Sequence, residues 1–167
     1  LKMEGYVAAI WQVRQADINA AYLGRASWHP GLTADDFYTD YLTCLVGSAA
    51  ADGFRQALQT IEEADREVKK CLHGFAFAFE GAMENKLRGV DQEAIDRVRP
   101  QLVRAVTQLR HAHLNTTERG RAVVDFWLKR TQFAVQWIDL GVAGAGLGRR
   151  LGEARELGDA LTAEQKQ

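Results

Sequence analysis

Apolar positions recur every three to four residues along most of this chain, the spacing of one face of a helix,. One segment departs from that rhythm. Residues 6–13, Tyr-Val-Ala-Ala-Ile-Trp-Gln-Val after Gly5, are β-branched, aromatic and poor in charge, which resembles a buried strand, although eight residues do not separate strand from helix by pattern and an amino-terminal arm is the alternative,. Asp17 then reads as an N-cap for a helix with Ile18, Ala21, Tyr22 and Ala26 on one face. Trp28-His29-Pro30-Gly31 ends it, since Pro disfavours helix in the residue before it and Gly permits a turn,. Thr33 followed by Asp35 and Asp36 opens a second helix, whose stripe of Phe37, Tyr38, Tyr41, Leu42 and Leu45 stops at Gly47,.

Ser48 starts a longer helix carrying Phe54, Leu58, Ile61, Val68, Leu72, Phe75 and Phe79 near heptad spacing,. Asp65 falls on that seam, where the ordinary outcome is a carboxylate reaching water or an arginine. Residues 74–81 alternate Phe with small residues, and their helical surroundings favour helix with a break near Gly74 or Gly81,. Gly89-Val90-Asp91 makes a turn and N-cap for a helix facing inward through Ile95, Val98, Leu102, Val106 and Leu109,. Asn115-Thr116-Thr117-Glu118 breaks that helix and caps another. Val124, Trp127, Leu128, Thr131, Ala134, Val135 and Ile138 line it, with Phe126, Phe133 and Trp137 on an adjacent strip, so it packs on more than one neighbour,. Gly158-Asp159 is expected to close a short last helix.

Composition narrows the class. The chain has 167 residues, 47% of them hydrophobic and 26% charged, which suits one globular domain,. That length falls short of the roughly 250 residues of a complete (β/α)₈ barrel. With 21 Lys+Arg against 22 Asp+Glu the net charge is −1, so no global charge points to nucleic acid or an anionic membrane,. No apolar run reaches the roughly 20 residues of a membrane helix. Cys44 and Cys71 stand far apart with no CxxC, so neither a zinc site nor a disulfide framework is readable,. Leu1 precedes Met3, which leads us to expect a processed product or a piece of a longer protein,.

Candidate chemistry is sparse. Gly144-x-Gly146 is followed by Arg149 where a dinucleotide loop needs its third glycine, so the run Gly141, Gly144, Gly146, Gly148 reads as a glycine-rich helix end or a close helix approach,. No Glu has a His three positions later, as a di-metal bundle requires,. His111 and His113 lie about 200° apart around a helix and cannot share an ion from it. His29 and His73 show no partner. Cys44 sits beside an apolar stripe, where a structural cysteine is expected. Cys71 follows Lys69-Lys70 without a base, and no Ser lies in a GxSxG elbow,. The acid pairs Glu62-Glu63 and Asp35-Asp36 suit solvated or capping positions. Arg97, Arg99, Arg104 and Arg110 point in several directions, so no nucleic-acid stripe forms. We expect no metal and no cofactor.

A solitary strand cannot form a sheet, so its partners belong outside these residues. Ile10-Trp11-Gln12-Val13-Arg14, Asn19-Ala20-Ala21-Tyr22, Trp28-His29-Pro30-Gly31-Leu32-Thr33 and Phe37-Tyr38-Thr39-Asp40-Tyr41 with Gly47 soon after form a phrase. It resembles the carboxy-terminal region of TIM-barrel glycoside hydrolases of the hexosaminidase and α-glucuronidase type. Asp125-Phe126-Trp127 and residues 153–159 look like later helices of the same domain. The likeness covers most of the chain, is strong only across residues 5–47, and includes no catalytic signature.

The resemblance implies that residues 1–30 finish a barrel as its last strand–helix unit and that 31–167 form an all-helical domain beside it. The fold expected is mainly α, a bundle of about five to six helices with that one amino-terminal unit. Active sites of such barrels lie at the carboxyl ends of the strands. Trp11 would then offer a face to a sugar ring and Arg14 would bind a carboxylate or hydroxyl. A core ring for Trp11 and an ordinary ion pair for Arg14 are the competing readings. The paired carboxylates of a glycosidase would come from earlier strands, so no catalytic residue is assigned here. The implied partners are the rest of a barrel enzyme and a carbohydrate. The reading from a different class is a self-standing bundle that binds a protein or forms a homo-oligomer through faces such as Phe75, Phe77 and Phe79.

Overall fold

A computed structural model describes residues 13–72 and 92–164. It contains α1 (Val13–Ala26), α2 (Ala34–Val46), α3 (Ser48–Leu72), α4 (Gln92–Asn115) and α5 (Glu118–Glu164). The mainly helical bundle expected from the sequence is what forms, and there is no strand among the described residues. Of the strand-like segment, Val13 belongs to α1 and residues 6–12 lie outside the described residues, as do the phenylalanines at 75, 77 and 79.

Helix α1 begins before Asp17, which lies inside it rather than capping it. Arg14, Gln15 and Ala16 are good helix formers and carry the helix back to Val13,. Its far end closes as the Trp28 and His29 amides donate to the Arg25 carbonyl, both at 3.1 Å, and Leu32 donates to His29 across Pro30-Gly31. Thr33 caps α2 as expected, its hydroxyl accepting from the Asp36 amide at 3.1 Å,.

Gly47 performs two tasks. Its amide donates to the Thr43 carbonyl at the end of α2, and its carbonyl accepts from Ala50 and Ala51 in the first turn of α3. It does so at φ 90°, a region that side-chain-bearing residues rarely adopt,. The turn between α4 and α5 docks on this corner. The Thr117 amide and the Thr116 hydroxyl both donate to the Val46 carbonyl, at 3.1 and 2.9 Å. Gly120 permits the approach, since a Cβ there would lie 2.7 Å from the Val46 Cα and 2.8 Å from the Leu45 carbonyl oxygen.

Two apolar clusters fill the bundle. The larger joins Ile18 of α1, Phe37 and Leu42 of α2, Phe54 and Leu58 of α3, Leu109 of α4, and Val124 and Trp127 of α5. The smaller lies toward the opposite end and gathers Ala64, Ile95, Val98, Leu102 and Ile138, with Ala134, Val135 and Val142 against it. Helix α3 packs most extensively along α4, and α4 in turn along α5. Asp65 meets one of its expected fates, because its charge acts on Arg130 of α5. Pro100 sits inside α4 on its exposed side, where the ring meets solvent instead of a neighbouring helix,.

The helix expected to end at Gly158-Asp159, and the helix end expected at the glycine run, are both corrected by α5. It continues without a break from Glu118 to Glu164, about 70 Å,. Each helical glycine costs about 1 kcal/mol relative to alanine, but the Leu, Ala, Arg and Glu residues between them favour helix. Nor is the run a close approach at Gly146 or Gly148, where an added Cβ would meet nothing within 4 Å.

These contrasts give opposite expectations for one substitution. Gly120→Ala should destabilise the chain by about 1–3 kcal/mol, because the clash is with backbone that cannot yield. Gly152→Ala, in open space on α5, should stabilise by about 0.5–1 kcal/mol. Thermal melts of the two variants check the pair, and equal shifts would contradict the corner geometry.

Candidate docking surfaces

The residues of the glycosidase-like phrase converge on one corner. Tyr22 of α1 meets the Phe37 ring edge-on at 5.3 Å, and Tyr41 stacks on Phe37 at 5.0 Å. Arg25 pairs with Asp40 and lies over the Phe37 ring, its centre 6.0 Å away. That hydrogen bond, with the carboxylate charge behind it, raises the Arg25 pKa. The corner thus clamps α1 to α2 by an apolar stack under an ion pair. Trp28, at the tip between them, is 84% exposed and takes no part in either core cluster.

Of the two residues expected to contact sugar, Arg14 stands in the first turn of α1 and Trp11 lies outside the described residues. The remaining candidates disperse. His113 pairs with Asp125 at 2.9 Å, across from α4 to α5, and Lys129 approaches the same carboxylate at 3.5 Å. His111 neighbours Asn115 on its own helix. Arg99 binds Asp139 through two hydrogen bonds, at 2.6 and 3.0 Å. Cys44 is an exposed free thiol rather than the buried structural cysteine expected, because it falls just outside the Phe37–Leu42–Val46 face. Among the described residues no three His, Cys, Asp or Glu side chains gather as a metal site would need, and no helix is long and apolar enough to cross a membrane.

Arg130 is a half-buried charged group. Its guanidinium lies 5.1 Å from the centre of the Trp127 ring, and burial pushes its pKa down while the Asp65 charge pushes it back up. A half-enclosed cation held between a ring and a carboxylate is fully used by the bundle. It offers nothing to a ligand.

The second surface was missed in the sequence. Beyond Val142, the last residue packed on the smaller cluster, α5 runs about 33 Å further without a described neighbour,. Along it Leu147, Leu151 and Leu157 are 60%, 62% and 66% exposed, and Leu140 just before it is 53% exposed. Leu140, Gly144, Leu147, Leu151, Ala154 and Gly158 alternate steps of four and three, the spacing of a coiled-coil seam,. That signal was present in the sequence. It is hidden once the glycines are read as a helix end.

No protein-family model, curated protein or solved structure matches the chain. The class defined is a helical bundle whose described surface exposes Trp28 at one corner, Leu114 at the end of α4 and the leucines on the free half of α5.

The Arg99–Asp139 pair stands where α5 leaves the bundle and ties its root to α4. The Arg99 hydrogen bond, reinforced by its charge, holds the Asp139 pKa below 3.8, its ordinary value. A depressed carboxylate contributes stability that is present above the unfolded pKa and lost as pH falls through the folded one. Asp139→Asn should therefore flatten the acid side of a Tm-against-pH profile below about pH 4 and leave the neutral side nearly unchanged. An unaltered acid slope would show the pair to be idle.

Proposed function

We propose that this chain is the carboxy-terminal helical domain of a glycoside hydrolase, completing and buttressing a catalytic barrel whose carboxylate pair lies outside these residues. The observation that carries the reading is the corner itself. Tyr22, Phe37, Asp40 and Tyr41 of the phrase meet there, and its exposed tip is a tryptophan. Trp is the residue most enriched among contacts that dominate protein interfaces, and the bundle makes no use of Trp28 in its own core.

In a strand–helix unit, the carboxyl end of the strand and the first turn of the helix share the same side of a barrel. That is the side where the active sites of such barrels lie. An Arg14 in the first turn of α1 therefore remains suited to a substrate carboxylate or hydroxyl, with Trp11 just before it suited to a sugar face. The chain's own part is to fix α1, through Tyr22, Phe37 and the Arg25–Asp40 pair, so that this edge is held still.

A second reading, a helical interaction or dimerisation module, is favoured by a separate observation: the exposed leucines on the free half of α5. An apolar stripe of that length on a charged helix is the usual mark of a protein-docking surface. The two readings are compatible, since a buttressing domain can also associate.

The mass of the natural polypeptide tests the first reading. An antibody to residues 86–104 should detect a product several hundred residues larger than this chain in source-cell extract. A band near 18.6 kDa would overturn it. In the larger product, Trp28→Ala should weaken the packing of domain on barrel and lower the Tm. In the isolated 167-residue chain the same substitution should shift stability by no more than about 0.5 kcal/mol, as for other exposed positions.

A further inference from the structure

We infer that the free half of α5 pairs with the same segment of a second copy, antiparallel, in a register that sets Leu147 and Leu151 each against a small residue. The inference rests on reading the chain as an interaction module and names its partner.

Two observations select this occupant. The first is size. Along the seam, Leu147, Leu151, Ala154 and Gly158 place two large side chains before two small ones. An antiparallel crossing centred between Gly152 and Glu153 sets Leu151 against the second copy's Ala154, and Leu147 against its Gly158. By symmetry the same contacts repeat on the other side. Large against small is the arrangement that lets facing layers interdigitate without voids. A parallel, in-register pair instead sets Leu on Leu and Gly on Gly, alternately crowding the seam and leaving it empty.

The second observation is charge. Arg149 and Arg150 contribute +2 on one side of the crossing. On the other, Glu153, Glu156 and Asp159 against Arg155 sum to −2. All six side chains are exposed. Antiparallel pairing brings the cationic half of each copy beside the anionic half of the other, and also opposes the two helix dipoles. Parallel pairing superposes like charge on like. Neither argument uses the part of α5 inside the bundle, so the bundles sit at opposite ends of the pair and do not obstruct it.

The full 167-residue chain tests the inference by sedimentation and by spin-label distances. Over a roughly hundredfold range of concentration the chain should pass from 18.6 kDa to twice that mass. Nitroxides at Gly152→Cys and, separately, Gly146→Cys are placed in a background lacking Cys44 and Cys71. An added Cβ at either glycine meets nothing within 4 Å. In the antiparallel pair the labels at 152 lie side by side, whereas those at 146 are separated by about 20 Å along the axis. Equal short distances at both positions mean a parallel pair and overturn the register.

The double variant Leu147→Glu, Leu151→Glu should abolish the dimer while the melt of the bundle core is unchanged. A dimer that persists is formed elsewhere, and the inference fails. Arg149→Glu with Arg150→Glu should weaken association roughly tenfold, and adding Glu153→Lys with Glu156→Lys should restore it. A chain that stays monomeric, with fast hydrogen exchange over residues 143–164, rejects the second copy but leaves the interaction reading standing. A monomer in which those amides are protected has the stripe covered by its own chain, and both fall.

Discussion

The carbonyl of Val46 is the point on which this bundle is hung. It ends α2, where a helix leaves its last carbonyls without intrahelical partners, and it accepts from both the Thr116 hydroxyl and the Thr117 amide at the start of α5. Two glycines make that contact possible for different reasons. Gly47 supplies a backbone conformation closed to most residues, and Gly120 supplies the missing Cβ,. Once the two turns are locked together, α3 and α5 leave the same corner, and α4 runs back between them. The order of packing follows: Phe37, Phe54, Leu109 and Val124 are brought to one end and meet with no exposed surface.

Everything farther from that corner is held by progressively less. The smaller cluster is built on Ile95, Val98, Leu102 and Ile138, with no aromatic ring among its buried members. At its edge the Arg99–Asp139 pair is solvent-exposed, so it fixes direction more than it adds stability,. Past Val142 the helix continues on its own propensity. Isolated helical segments of that length are marginal in water, particularly with several glycines. A free half with exposed leucines is therefore the part of the molecule with most to gain from a partner.

Much of this arrangement was legible in the sequence because it follows from local chemistry. Thr33, Asn115 and Thr117 mark helix ends by side chains that satisfy backbone groups within a few residues,. The inward faces of α2, α3 and α4 follow from a 3.6-residue period, and Phe37, Phe54, Val98 and Leu109 are buried as that period requires,. What was misread depended on sums over longer stretches. Asp17 has the look of a cap, but the three helix formers before it outweigh one capping bond. The glycines of α5 each resemble a stop, yet none adopts the left-handed conformation that stops a helix; only Gly47 has positive φ among the described glycines,. Gly120 was silent altogether, because the backbone it must admit comes from a residue 74 positions earlier, Val46 (120 − 74 = 46).

The candidate site was legible in a narrower sense. Recognition of the phrase picked out Tyr22, Trp28, Phe37 and Tyr41 as belonging together, and three of them do stack. It attached function to Trp11 and Arg14, and so passed over Trp28 as punctuation before Pro30. The physical distinction is between side chains the bundle consumes and those it leaves over. Asp65, Arg99, Arg130 and His113 each meet an opposing charge or ring within the described bundle. Ionisable groups so matched hold the helices together. Among the described residues, the large apolar side chains left most exposed are Trp28, Leu114 and the leucines on the far half of α5.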